Sequence, residues 1–141
     1  MKKILLVILS ACILVACNKN KKVVVDATYA DGLPKKVSEY IIKEDGSQQL
    51  AKETYYFPEK KKYIEGEYNS NTQRQGVWTS WYENGQKNSQ GTYENGVLEG
   101  NYTVWHPNGQ VYYSGKYLHG KQIGKWVFYD SLGAVVKEIN Y

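Results

Sequence analysis

A phrase of aromatic residues and glycines returns every 24 residues along the second half of this chain. Gly76, Trp78, Trp81 and Gly85 recur as Gly100, Tyr102, Trp105 and Gly109, and again as Gly124, Trp126, Tyr129 and Gly133. A fixed period of that length marks a repeat architecture, in which each unit is one supersecondary element that stacks on its neighbours to bury its apolar face. Two turn signals punctuate each period. The first is Asn84-Gly85, matched by Asn108-Gly109 and, more loosely, by Leu132-Gly133; the second is Asn95-Gly96, matched by His119-Gly120. Asn-Gly between apolar alternating runs is a strong hairpin signal, because both residues tolerate positive φ. Two turns per period leave two strands of about six to eight residues and no room for a helix. The spacing therefore predicts an all-β fold, an antiparallel β-meander of successive hairpins.

The pattern extends backwards in weaker form. Tyr141, Tyr117 and Tyr93 are 24 apart, and Tyr68 and Tyr40 continue the column at slightly longer intervals. Degenerate hairpin units are expected over 23–68, with strands at 23–29, 35–43, 47–57 and 61–68 and turns at Asp45-Gly46 and Pro58-Glu59-Lys60. The regular repeats fill 69–141 and continue the same sheet. The segment 69–75 is wholly polar and reads as a mobile hydrophilic loop.

The amino terminus has a different grammar. Lys2 and Lys3 precede the apolar run Ile4 to Leu9, the layout of a secretory signal and too short for a membrane span. Leu14-Val15-Ala16-Cys17 then resembles the lipobox of bacterial lipoproteins. The resemblance implies a signal peptide over 1–16, cleavage before Cys17, and acyl chains on Cys17, with 17–22 as lipidated cysteine and tether. Asn18 is not the aspartate that retains lipoproteins in the inner membrane of enteric bacteria, so the outer membrane is the expected address where a host has two. Loss of Lys2 and Lys3 lowers the formal charge from +4 to +2, too little excess to suggest nucleic acid. Cys12 leaves with the signal and Cys17 carries lipid, so no thiol is expected for a disulfide, a metal or a nucleophile.

Tyr113-Ser114-Gly115-Lys116-Tyr117-Leu118-His119-Gly120-Lys121-Gln122-Ile123-Gly124-Lys125-Trp126 resembles a MORN repeat, whose usual form is Tyr-x-Gly-x-aromatic-x-x-Gly-x-x-x-Gly. Residues 91–102 give a second match, and 63–78 a third that is interrupted by the polar insertion. The phrase Trp81-Tyr82-Glu83-Asn84-Gly85-Gln86 resembles the bacterial MORN variant labelled as toxin–antitoxin antitoxins. The resemblance implies a fold of MORN-like repeats rather than an activity, since fold does not imply function.

With two-residue turns at each Asn-Gly, Trp78 lies across from Gly91, Tyr102 across from Gly115 and Trp126 across from Ile139; Pro107 makes a type I turn with a glycine bulge a competitor, and a one-residue slip would reshuffle the faces. One face then holds Trp78, Tyr102, Trp126, Tyr93, Tyr117 and Tyr141 with Val104 and Phe128, and reads as the core. The opposite face holds Trp81, Trp105 and Tyr129 among threonines, Gln90, Lys116 and Asn88. Rings two strands apart, about 9 to 10 Å, could stack on the sugars of a disaccharide, mark a protein interface, or simply stabilise the sheet. Trp81, Trp105 and Tyr129 are therefore the candidate binding residues. Catalysis is not expected: His106 and His119 read as solvated turn residues with no spaced partner, and Glu65 and Glu67 have only the spacing of any alternating strand. No metal and no cofactor are expected. The chain reads as a non-catalytic, lipid-anchored interaction module of the cell envelope with a protein partner. The alternatives are a carbohydrate-binding module and an antitoxin or immunity protein. Open sheet edges would allow a homodimer.

Overall fold

The two turn signals fold in two different ways, and the difference sets the register of the sheet. The computed structural model describes residues 20–141. The signal segment, the lipobox and Cys17 lie outside the described residues. Ten strands follow one another: β1 (Lys21–Thr28), β2 (Pro34–Ile42), β3 (Gln48–Tyr56), β4 (Lys62–Tyr68), β5 (Arg74–Trp81), β6 (Lys87–Glu94), β7 (Val97–Trp105), β8 (Val111–Leu118), β9 (Lys121–Tyr129) and β10 (Val135–Asn140). They form one antiparallel sheet in strict sequence order, the meander that the period predicts. Lys21 and Lys22, expected in the tether, already pair with Ile41 and Tyr40 in β2.

Asn95-Gly96 and His119-Gly120 make true two-residue turns. All four residues have positive φ, 49° and 84° in the first and 51° and 77° in the second, as the mirror-image type I turn demands. Asn84-Gly85 does not follow suit. There the Gly85 N–H donates to the Tyr82 carbonyl (2.9 Å) and the Tyr82 N–H to the Gln86 carbonyl (2.8 Å), so the loop has three residues, with Gly85 at φ 85°. The extra residue would slip the register by one. A single-residue bulge at Asn88 cancels it, because Trp81 pairs with Lys87 while Ser80 pairs with Ser89. Tyr112 and Val136 repeat the correction 24 and 48 residues on. Trp78 therefore still faces Gly91, Tyr102 still faces Gly115, and Trp126 still faces Ile139.

The polar segment after Tyr68 closes as the same three-residue turn, with Thr72 at φ 58° in glycine's place. Asn69 Oδ1 accepts the Asn71 and Gln73 N–H groups, and Asn69 Nδ2 donates to Asn95 Oδ1 at 2.9 Å. It is a tied turn in place of the expected mobile loop.

Pairing across the sheet lines up Val24, Ser38, Glu53 and Gly66 through adjacent strands, and then Trp78, Gly91, Tyr102 and Gly115, with Trp126 and Ile139 at the far end. Rings thus alternate with glycines along one row. Each ring leans back over the glycine of the preceding strand: Trp78 covers Gly66, Tyr102 covers Gly91 and Trp126 covers Gly115. A methyl group at Gly66 or Gly115 would fall inside the indole, and at Gly91 it would come within 2.6 Å of the Tyr102 ring. Tyrosines then edge the indoles. Tyr68 and Tyr93 stand near-perpendicular to Trp78 at 5.2 and 6.2 Å, and Tyr117 and Tyr141 stand likewise to Trp126 at the same two distances. Edge-to-face pairs of this kind add about 0.5–1.5 kcal/mol each beyond area burial.

This face holds the buried rings, as the sequence suggests, but no second layer packs on it among the described residues. Each strand packs principally on its neighbours in the ladder, and nothing among the described residues covers either face. Among the apolar side chains of the described residues only Trp78 and Trp126 are buried, at 4% and 1% exposure, because each lies flat on glycine backbone with tyrosines at its rim. The turn tips are laced as well. Asn84 donates to the Pro107 carbonyl (2.8 Å) and Asn108 to the Ser131 carbonyl (2.7 Å), while Gly96 and Gly120 donate to Arg74 and Leu98 carbonyls.

Gly115→Ala is expected to cost about 3 kcal/mol, the upper end for overpacking, while Gly91→Ala costs less because the Tyr102 ring can tilt. Urea midpoints of the two variants measure the difference. Trp78 Nε1 donates to the Glu67 carbonyl at 3.0 Å, whereas Trp126 Nε1 is buried without a partner. Trp78→Phe is therefore expected to cost about 1 kcal/mol more than Trp126→Phe in the same assay.

Candidate interaction surface

The face opposite the rings is built from short polar side chains. Thr54, Glu65, Thr79, Gln90, Thr103, Ser114 and Val127 are paired in one continuous row across six strand boundaries. Hydrogen bonds within the row, Gln90 Nε2 to Thr79 Oγ1 (3.0 Å) and Thr54 Oγ1 to Glu65 (3.2 Å), pair four of these side chains without a second layer.

Trp81, Trp105 and Tyr129 lie on this face towards the three-residue turns. The Asn88 bulge places Lys87, and not the expected Asn88, opposite Trp81. Lys62 Nζ sits 5.5 Å from the Trp81 ring centre and Lys87 Nζ 5.6 Å from that of Trp105. Lysines and indoles alternate, each cation–π contact being worth about 0.5–1 kcal/mol at an exposed site. Trp81 and Trp105 share one shallow depression of about 450 Å³ with Gly85, Gln86, Lys87 and Gly109. Tyr129 continues the column without lysine, since Val111 pairs with Trp105 and Val135 with Tyr129. Lys62 and Lys87 were not among the residues singled out from sequence. Only the bulge brings Lys87 to this face.

The two histidines differ. His119 is exposed at its turn, its backbone N–H held by Glu99. His106, expected to be solvated, is half-buried: Nε2 bonds to the Tyr129 carbonyl (3.1 Å) and the ring packs on Tyr112 at 4.7 Å. Tyr82, 24 residues earlier, makes the matching bond to the Trp105 carbonyl (2.8 Å). His106 is therefore a latch between successive hairpins. Among the described residues no three potential metal-ligating side chains gather.

In the first half of the sheet a charged cluster stands where rings stand later. Glu53, 8% exposed, accepts from Lys36 Nζ (2.6 Å), Tyr68 hydroxyl (2.7 Å) and Tyr55 hydroxyl (3.3 Å), while Asp26 accepts from fully buried Ser38 and lies 3.5 Å from Lys36. Burial works to raise the Glu53 carboxyl, but the hydrogen bonds from Lys36 and Tyr68 outweigh it and hold the group below its ordinary 4.5. The bond to Glu53 raises Lys36 well above its ordinary range against the cost of burial. Burial first, and the Glu53 carboxylate second, push the Tyr68 phenol up to about 12. On the other face Lys52 and Lys62 hold Glu65 at 2.9 and 3.0 Å and lower its pKa despite burial. Glu65, which the sequence leaves without a role, is thus part of the scaffold.

A single-layer sheet of stacked hairpins with ring-on-glycine packing defines a β-repeat architecture. A sequence profile described as MORN repeat variant matches residues 74–95 and 98–119. Each match spans one hairpin, β5–β6 and β7–β8, and the two begin 24 residues apart, so the recurring unit is the hairpin closed by the three-residue turn. No curated protein matches the chain.

The cluster sets a pH dependence. Glu53 and Glu65, held low, contribute stability that is in place above 4.5 and lost as pH falls through their depressed values. Lys36 and Tyr68, held high, contribute stability that is in place below 10.0 and lost as pH rises towards 12 and beyond. Stability is expected to be flat between about pH 5 and 10 and to fall on both sides. Glu53→Gln is expected to cost about 1.5–3 kcal/mol at pH 7, the range for a hydrogen bond to a charged group, and to flatten the acid limb. Denaturation midpoints against pH check both statements.

Proposed function

We propose that this chain is a lipid-anchored protein of the cell envelope whose MORN-like sheet is a non-catalytic surface for binding another protein. The observation that carries the reading is the uncovered polar face, on which a shallow depression gathers Trp81, Trp105 and Lys87 between the tips of two hairpins. Exposed aromatic side chains, tryptophan and tyrosine above all, are enriched in protein interfaces. The Glu53 and Glu65 carboxylates are occupied by lysines and tyrosines, and His106 by a backbone carbonyl, so their chemistry is spent on the scaffold. The lipobox ending at Cys17 supports the anchor, with the outer membrane as the address in a host that has two.

A second reading, a glycan-binding module on the same face, draws on the flat polar row and the paired indoles. An antitoxin or immunity role rests on the family label alone. For an exported protein it would mean interception of a toxin arriving from outside.

The test is crosslinking of the full-length protein in its host membrane, followed by affinity capture. One specific protein is expected with the native chain and is expected to be lost in W81A/W105A while the β-sheet circular dichroism signal persists. Recovery of the same partner by the double variant contradicts the reading. Metabolic labelling with an alkyne fatty acid is expected to mark the native chain and not Cys17→Ala.

A further inference from the structure

The repeats are most informative where one unit breaks its own columns. In three columns β5 and β6 differ from the hairpins after them. Arg74 stands where Leu98 and Gln122 follow, Ser80 where Val104 and Phe128 follow, and Ser89 where Tyr113 and Lys137 follow. The later residues fill the ring face: Tyr113 packs on Phe128 at 5.4 Å and on Trp126 at 5.9 Å. Two serines cannot. Their hydroxyls bond to each other at 2.7 Å, and above them a cleft of about 210 Å³ opens, lined by Arg74, Trp78, Tyr93, Tyr102, Ile64 and the two serines. The three departures therefore converge on one place, on the face opposite the proposed protein-binding surface.

The chemistry of the lining is specific. The Arg74 guanidinium lies 4.0 Å above the Trp78 ring and 5.3 Å from that of Tyr93, and donates to the Tyr93 hydroxyl at 3.4 Å. It makes no ion pair among the described residues. Stacking on the indole fixes the plane of a group that binds carboxylates in bidentate fashion. Ser80 and Ser89 share one hydrogen bond, which leaves one hydroxyl proton and several lone pairs for a ligand. The cleft is below the roughly 300–1,000 Å³ of drug-sized sites, so it suits a single ring.

We propose that this cleft binds the carboxylated sugar ring of an acidic glycan, a uronate, with its carboxylate on Arg74, its hydroxyls on Ser80 and Ser89, and its apolar face against Tyr102. A phosphate monoester would bring about two negative charges to one cation and leave the rings unused. A simple carboxylate would leave the serines and rings unused. A sugar acid engages each of these groups. The site is independent of the depression at Trp81 and Trp105, so either can fail without the other.

The test is calorimetric titration of full-length protein in detergent with oligogalacturonate, with the neutral galactose oligomer and inorganic phosphate as separate titrants. Arg74→Gln reproduces the residue of the third unit, and S80V/S89Y reproduces the Val104–Tyr113 pair of the second, so both are expected to fold. Oligogalacturonate is expected to bind, with at least tenfold preference over the neutral oligomer and no competition from phosphate. Arg74→Gln is expected to weaken binding at least tenfold and S80V/S89Y to abolish it, with W81A/W105A unchanged. No binding of the acidic oligomer, equal binding of the neutral one, displacement by phosphate, or native affinity in S80V/S89Y overturns the proposal.

Discussion

The contact on which this structure depends is an aromatic ring lying flat on the backbone of a glycine one strand earlier. A single-layer sheet has no second sheet to bury its apolar side chains, and a small domain without cross-links needs its few buried groups to count. Replacing one side chain by hydrogen lets the neighbouring indole sink to the level of the peptide planes, so that Trp78 and Trp126 become buried with no layer above them. The tyrosines at their edges close the remaining exposure, and the alternation of ring and glycine makes the arrangement extensible from hairpin to hairpin. The 24-residue period is the sequence record of that geometry.

Where the alternation stops, the sheet uses other means. Strands β2 and β3 carry Ser38 and Glu53 on the same row, and Lys36, Tyr55 and Tyr68 satisfy the carboxylate there. A buried ion pair is weak evidence for net stability, since desolvation offsets much of its attraction. The first half is therefore fastened by polar geometry and the second by packing. The same sheet thus has a charged end near the amino terminus and an aromatic end near the carboxyl terminus. The two faces divide the remaining work: rings and glycines on one, hydroxyls, amides and the lysine–tryptophan ladder on the other.

Most of the fold was legible in the sequence because turn chemistry and period point the same way. The pairing of Trp78 with Gly91 was derived from a two-residue turn that does not exist. It holds because the longer turn at Gly85 and the bulge at Asn88 cancel. The bulge leaves no signal in composition, and with it went the placement of Lys87 beside Trp81 and Trp105. The direction in which each ring leans was hidden as well, since a strand pattern specifies the face of a side chain but not which neighbour it covers. The Lys36–Glu53 cluster lay in the degenerate half, where no repeated column exists to single out its members. Ser80, Ser89 and Arg74 depart from their columns, yet only the cleft between them gives the departures a common meaning.

The uncovered polar face, with its ladder ending in Tyr129, and the cleft on the ring face give one thin sheet two distinct surfaces. Both readings presuppose that the sheet is rigid without a second layer, and native-state hydrogen exchange tests that most directly. Strands β2 and β3 are interior strands like β5 to β8, with complete ladders on both sides, so they differ chiefly in lacking rings on glycine. The account predicts slower exchange for the amides of β5 to β8 beneath Trp78, Tyr102 and Trp126 than for those of β2 and β3. Equal protection in the two groups, or slower exchange in β2 and β3, would contradict it.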